Sequence, residues 1–166
     1  MSSPRVAIVA GCRTPFARSG TVFRDLTALD LARACVRELL ERTEVAPASI
    51  DTVVMGQVVP AVKAPNLGRE AALRAGLPKS VPAYTVNRAC ASSNQAIADV
   101  ASAILLGHVD AGIAGGAECL SDVPILHSRR MARILVEAQR AKSLGARLWA
   151  FARLRPRDLV PEAPAI

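Results

Sequence analysis

Aromatic side chains are scarce: one Trp, one Tyr and three Phe among 166 residues. A core of stacked rings is excluded, so Ala, Val, Leu and Ile must fill it. Hydrophobic residues make up 51% of the chain and charged residues 21%, the balance of a folded α/β domain rather than a disordered chain. At this length, about 70% of the unfolded surface can be buried. Long apolar runs are also missing. The stretch from Val6 to Gly11 is too short for a membrane span or a signal-peptide core, and no arginine-rich presequence precedes it, so the expected location is cytoplasmic. There are two histidines, and Cys12, Cys35, Cys90 and Cys119 show no Cys-x-x-Cys spacing. A zinc site and a disulfide framework are both disfavoured, and reduced thiols suit a reducing compartment.

The net charge of +7 is unevenly spread. Residues 1–128 carry 12 basic and 11 acidic side chains, and residues 129–166 carry nine and three. The excess belongs to the tail, which argues against a nucleic-acid protein. Residues 129–157 could attract phosphate groups, an acidic partner or an anionic membrane surface, or form a solvated face on a peripheral insertion.

Along the chain, Arg5 to Ala10 reads as a strand buried on both faces, followed by a loop from Gly11 to Gly20. Thr27 and Asp30 fit a capping box. The following helix carries an apolar stripe through Ala28, Leu31, Ala32, Cys35, Val36, Leu39 and Leu40. Asp51 to Val59 reads as a strand, Asn66 to Ala75 as a short helix, Tyr84 to Val86 as a strand, and Asp110 to Gly115 as another. A small-residue helix is expected to open at Cys90, with Ile97, Val100, Ala101, Ile104 and Leu105 on its apolar face, and to stop at Gly107. The order β-α-β-α-β-α-β argues for a mostly parallel sheet with helices on its faces. A basic amphipathic stretch begins near Ser128.

Functional groups in such sheets lie beyond the carboxyl ends of strands, and Cys90 follows one. In the first turn of a helix, free backbone N–H groups and the positive end of the dipole favour a thiolate, and the same N–H groups can receive an oxyanion. Free cysteines are nevertheless more often inert and buried.

The longer pattern shifts that balance. Asn87-x-x-Cys90-Ala91-Ser92-Ser93, followed by Ala114-Gly115-Gly116-Ala117-Glu118-Cys119-Leu120-Ser121, resembles the acyl-intermediate signature of the thiolases, and Arg13-Thr14-Pro15-Phe16 resembles their amino-terminal motif. Ser19-Gly20-Thr21, Ser121 to Ile125, His127-Ser128-Arg129 and Arg155 to Leu159 look most like the β subunit of the fatty-acid oxidation trifunctional complex. The resemblance implies a layered thiolase-like α/β fold, amino-terminal half, over residues 1–122, and the start of a basic, truncated loop-domain insertion over 123–166. It also implies a 3-ketoacyl-CoA thiolase (acetyl-CoA acyltransferase) of fatty-acid β-oxidation. CoA and acyl-CoA would be its substrates, with no metal, nicotinamide or flavin cofactor implied, and Cys90 would be its acyl-thioester nucleophile, with the Cys90 N–H in the oxyanion hole. A homo-oligomer and a hydratase/dehydrogenase α subunit are the partners it implies.

The family's second half carries Asn-Glu-Ala-Phe, a Gly-His-Pro histidine and a second catalytic cysteine. None of these motifs occurs here. His108 reads as a turn residue and His127 as part of the insertion, and neither suits the missing base. The chain alone is therefore expected to be a weak catalyst and to self-associate through uncovered apolar surface. Two alternatives accompany this reading: a fragment of a 3-ketoacyl synthase-type condensing enzyme, and a non-catalytic truncated paralogue acting as an interaction module. Cys12 is expected to be buried, Cys119 to be structural, and Gly115 and Gly116 to permit close backbone packing beneath the site.

Overall fold

A computed structural model describes residues 5–161, in two compact units, Met1–Val123 and Pro124–Ile166. The sequence patterns set the expected boundary between residues 122 and 123.

In the first unit, helix α1 spans Ala28–Thr43. The Thr27 side chain accepts from the Asp30 N–H, and the Asp30 carboxylate accepts from the Thr27 N–H, the reciprocal capping box expected from the pattern. Its buried stripe is Ala28, Leu29, Ala32, Val36 and Leu40, with Cys35 half-buried beside it. Strand β1 (Thr52–Gly56), helix α2 (Leu67–Arg74), strand β2 (Ala83–Val86), helix α3 (Ser92–Leu105) and strand β3 (Gly112–Gly116) follow. Asn66 caps α2 through an acceptor bond from the Arg69 N–H.

The sheet has the order β2-β1-β3 and both pairings are parallel, with Val53 opposite Ala83 and Ile113. Central β1 is buried at all five positions. Val53 and Met55 pack with Ile113 against residues of α1 and α2, whereas Val54 packs on Ala96 and Val100 of α3. Alternation along one strand therefore feeds two helical layers.

Two expectations need correction. Arg5 to Ala10 forms no strand: residues 5–18 have no regular structure, and Ile8 and Val9 are 87% and 86% exposed. An apolar run signals a preference for burial, but a strand also needs a partner edge. β3 brings Ile113 as its only large side chain to the sheet, so it offers little cross-strand packing. The inward face of α3 matches the expected one only in part: Val100 and Ile104 pack on the sheet as expected, but the face is shifted toward smaller residues. Ser92, Ala96 and Val100 are buried, while Ile97 and Leu105 are 45% and 48% exposed. The helix approaches the sheet along its smallest side chains.

In the second unit, Ser128 caps α4 (Arg129–Arg140) and Ser143 caps α5 (Leu144–Ala152). Ile134, Ala138 and Ala150 form their small core. Arg130 pairs with the buried Asp158 at 3.2 Å, and Arg153 lies over the exposed Trp149 ring. Among the described residues, no helix is long and apolar enough to cross a membrane.

Candidate functional site

Parallel pairing brings the carboxyl ends of β1, β2 and β3, at Gly56, Val86 and Gly116, to one edge of the sheet. The loops beyond them are tied together. The Gln57 N–H donates to Val86 O at 3.1 Å and the Ala117 N–H to Gly56 O at 3.2 Å. Glu118 Oε2 accepts from the Val58 and Val59 N–H groups at 2.8 and 3.2 Å. Asn87 Nδ2 donates to Val58 O at 3.1 Å.

Cys90 rises from this edge with an exposed side chain. The turn carrying it is tightly specified. Ala89 has a φ of +46°, a left-handed value that side chains other than glycine seldom adopt. Two neighbouring side chains hold it there. Asn87 Oδ1 accepts from the Ala89 N–H at 3.0 Å, while Ser92 Oγ accepts from the Arg88 N–H at 2.8 Å and donates to Ala89 O at 2.6 Å. Ser92 is 4% exposed, so the two bonds it makes are partly buried, whereas the Asn87 bond is exposed. Strained backbone that is over-determined by its surroundings clusters at functional sites.

This turn also corrects the expected start of α3. The helix begins at Ser92 with Ala91 as N-cap, so Cys90 precedes the cap instead of occupying the first turn. The left-handed Ala89 and the turn bonds Ala91 N–H to Arg88 O and Ser92 N–H to Ala89 O occupy residues 88–92 before helical bonding starts. Alanine offers no side-chain cap, leaving the helix end without one from that position. Its dipole favours negative charge nearby, an effect that falls off within a turn.

Glycine makes the placement possible. A Cβ on Gly56 would lie 2.5 Å from Ser92 C and from Ser93 N, and one on Gly116 would overlap Ser93 Oγ. The start of α3 therefore rests directly on the ends of β1 and β3. Gly115 is not part of that contact: its added Cβ would meet the Met55 side chain at 3.5 Å or more, an ordinary separation.

The remaining candidates lie elsewhere. His108 follows the far end of α3, a helix rising about 1.5 Å per residue, and is remote from Cys90. His127 belongs to the second unit. Cys12 and Cys119 are half-buried and, with Cys35, line a cavity of about 590 Å³ between residues 10–19, α1 and the loop after β3, a cavity that Cys90 does not reach. Cys119 donates to Leu26 O at 3.2 Å. Burial pushes the Cys12 thiol above its ordinary pKa, and Cys35 beside it adds to the rise. Among the described residues, no group of three or more His, Cys, Asp or Glu is arranged to hold a metal ion.

Sequence reasoning named Asn87 and Ser92 only as motif letters. Their roles as clamps could be sought in the spacing, because an Asn at the start of a turn readily bonds the N–H two residues on. The left-handed Ala89 carried no such signal.

The chain has counterparts among known proteins in both sequence and fold. The family model described as the thiolase amino-terminal domain matches residues 6–150. The 3-ketoacyl-CoA thiolases of Erwinia tasmaniensis and Colwellia psychrerythraea are each 49% identical to the chain over 162 residues. Each alignment covers 98% of this chain and 37% of the relative, so the chain spans little more than a third of their length. The crystal structure of the Bacillus anthracis acetyl-CoA acetyltransferase superposes with a TM-score of 0.70 at 35% identity, covering 73% of this chain and 31% of that one. The chain belongs to the thiolase family.

Proposed function

We propose that this chain carries the acyl-accepting half of a thiolase active site, with Cys90 as nucleophile and 3-ketoacyl-CoA and CoA as substrates. The observation that carries the reading is the exposed Cys90 on the Asn87- and Ser92-clamped turn at the carboxyl edge of the sheet. The relatives, a 3-ketoacyl-CoA thiolase and an acetyl-CoA acetyltransferase, support this over a condensing synthase or a non-catalytic module.

The Cys90 thiolate adds to the 3-keto carbonyl. The C2–C3 bond then breaks, its electron pair stays on C2, and C2 takes a proton and departs as acetyl-CoA. The acyl group remains as a thioester on Sγ until the CoA thiolate adds to the same carbonyl and Sγ leaves, which is a ping-pong cycle. The Cys90 N–H would contribute to the oxyanion hole for that second addition. The α3 N-terminus offers at most about 0.3–1 kcal/mol of charge stabilisation, so activation of Cys90 calls for a general base.

The reading places the protein in the cytoplasm, as a homo-oligomer in contact with a hydratase/dehydrogenase α subunit. The exposed Ile97, Leu105 and Leu106 support a subunit interface on unit 1, and the exposed Leu144, Leu148 and Trp149, with the surrounding basic residues, support a membrane-facing role for 129–157. Alkylation tests the site: acyl-CoA should slow iodoacetamide modification of Cys90 but not of Cys119. Equal rates with and without acyl-CoA would remove the support for a substrate site at Cys90.

A further inference from the structure

Cys12 Sγ donates to the backbone oxygen of Cys35 at 3.1 Å across 23 residues of chain, and both cysteines line one cavity. We propose that Cys12 and Cys35 are a paired dithiol that a peroxide converts to an intramolecular disulfide, a modification site separate from Cys90.

Three observations support the pairing. The two half-buried thiols share the wall of the 590 Å³ cavity, which gives a molecule as small as hydrogen peroxide a route to them. Cys35 is held on α1, whereas Cys12 lies in the irregular segment 5–18. A disulfide requires its Cα atoms about 4.4–6.8 Å apart, and the irregular side can move to meet that requirement without unwinding the helix. The other thiols are disposed differently: Cys119 shares the cavity but donates to Leu26 O, and Cys90 lies outside it.

The chemistry needs one co-reactant. One thiolate attacks a peroxide oxygen, the O–O bond breaks, and hydroxide leaves a sulfenic acid on that sulfur. The second thiolate attacks the sulfenic sulfur and expels hydroxide, forming the S–S bond. The two released thiol protons and the two hydroxides make two waters. Two electrons pass from the sulfurs to the peroxide. Burial and the neighbouring Cys35 and Glu38 hold the Cys12 thiol up, with Arg42 opposing them, so the pair calls for excess peroxide rather than a trace. The product would fasten the 5–18 segment to α1.

Peptide mapping of the whole chain tests the proposal. The native protein is treated with hydrogen peroxide, the remaining thiols are blocked with iodoacetamide, and the chain is digested with trypsin. The expected product joins the peptide Val6 to Arg13 with the peptide Ala34 to Arg37 and is lost on reduction. In Cys35→Ser the joined product should vanish and a dimedone-reactive sulfenic acid should appear at Cys12. Peroxide treatment in guanidinium chloride should scatter the pairing among all four cysteines. Carbamidomethyl on both Cys12 and Cys35 after peroxide would overturn the proposal. So would pairing in the native chain no more selective than in denaturant, or a cross-link between two chains.

Discussion

Gly116, the last residue of β3, faces Ser93 so closely that a Cβ added to it would overlap the Ser93 hydroxyl. Gly116→Ala should therefore push the start of α3 off the sheet, at a cost of about 1–3 kcal/mol for overpacking. The same holds for Gly56→Ala, whose added carbon meets backbone that cannot rotate away. Gly115→Ala, with ordinary contacts in prospect, should cost less than either. Urea unfolding of the three variants checks the order.

Ser92 is the inner clamp of the Cys90 turn. Ser92→Ala removes the partly buried acceptor of the Arg88 N–H, a loss of about 0.5–1.5 kcal/mol. It should also alter the alkylation rate of Cys90 by loosening Ala89. Ser92→Thr keeps the hydroxyl and should restore both quantities in part. A Cys90 rate identical in all three proteins would show that the clamp does not position the thiol.

The capping box of α1 predicts a cost of about 1 kcal/mol for Thr27→Ala and a dependence on acid. The Thr27 hydroxyl, and then the Thr27 N–H, hold the Asp30 carboxyl below its ordinary pKa. The stability this brings is complete above the ordinary carboxylate value and is lost as pH falls through the lower folded value. Acid titration of helicity should show a shallower loss in Thr27→Ala than in the parent chain.

Exposed apolar side chains on the first unit, among them Ile8, Val9, Phe16, Ile97, Leu105 and Leu106, predict self-association of the 17.4 kDa chain. Sedimentation at micromolar concentration should show species heavier than the monomer. A single monomeric boundary would contradict this.

Much of the first unit was legible because its signals are local. Thr27 with Asp30, the stripe from Ala28 to Leu40, the helix start at Asn66, and the β-branched run in β1 all act over a few residues. What escaped depends on contacts distant in the chain. Whether Arg5 to Ala10 pairs as a strand is decided by a partner edge, and which face of an alanine-rich α3 turns inward is decided by how closely Gly56 and Gly116 let it approach. The site divides in the same way. Cys90 stood out through its motif, while the left-handed Ala89 that shifts the helix start to Ser92 became visible only with the backbone.

The most direct measurement is peptide mass spectrometry of the chain after incubation with a 3-ketoacyl-CoA and rapid acid quench. The account predicts an acyl thioester on Cys90, absent in Cys90→Ala and discharged by added CoA. A chain that stays folded and remains unacylated at Cys90, or one whose label sits on Cys12, Cys35 or Cys119 instead, would contradict it.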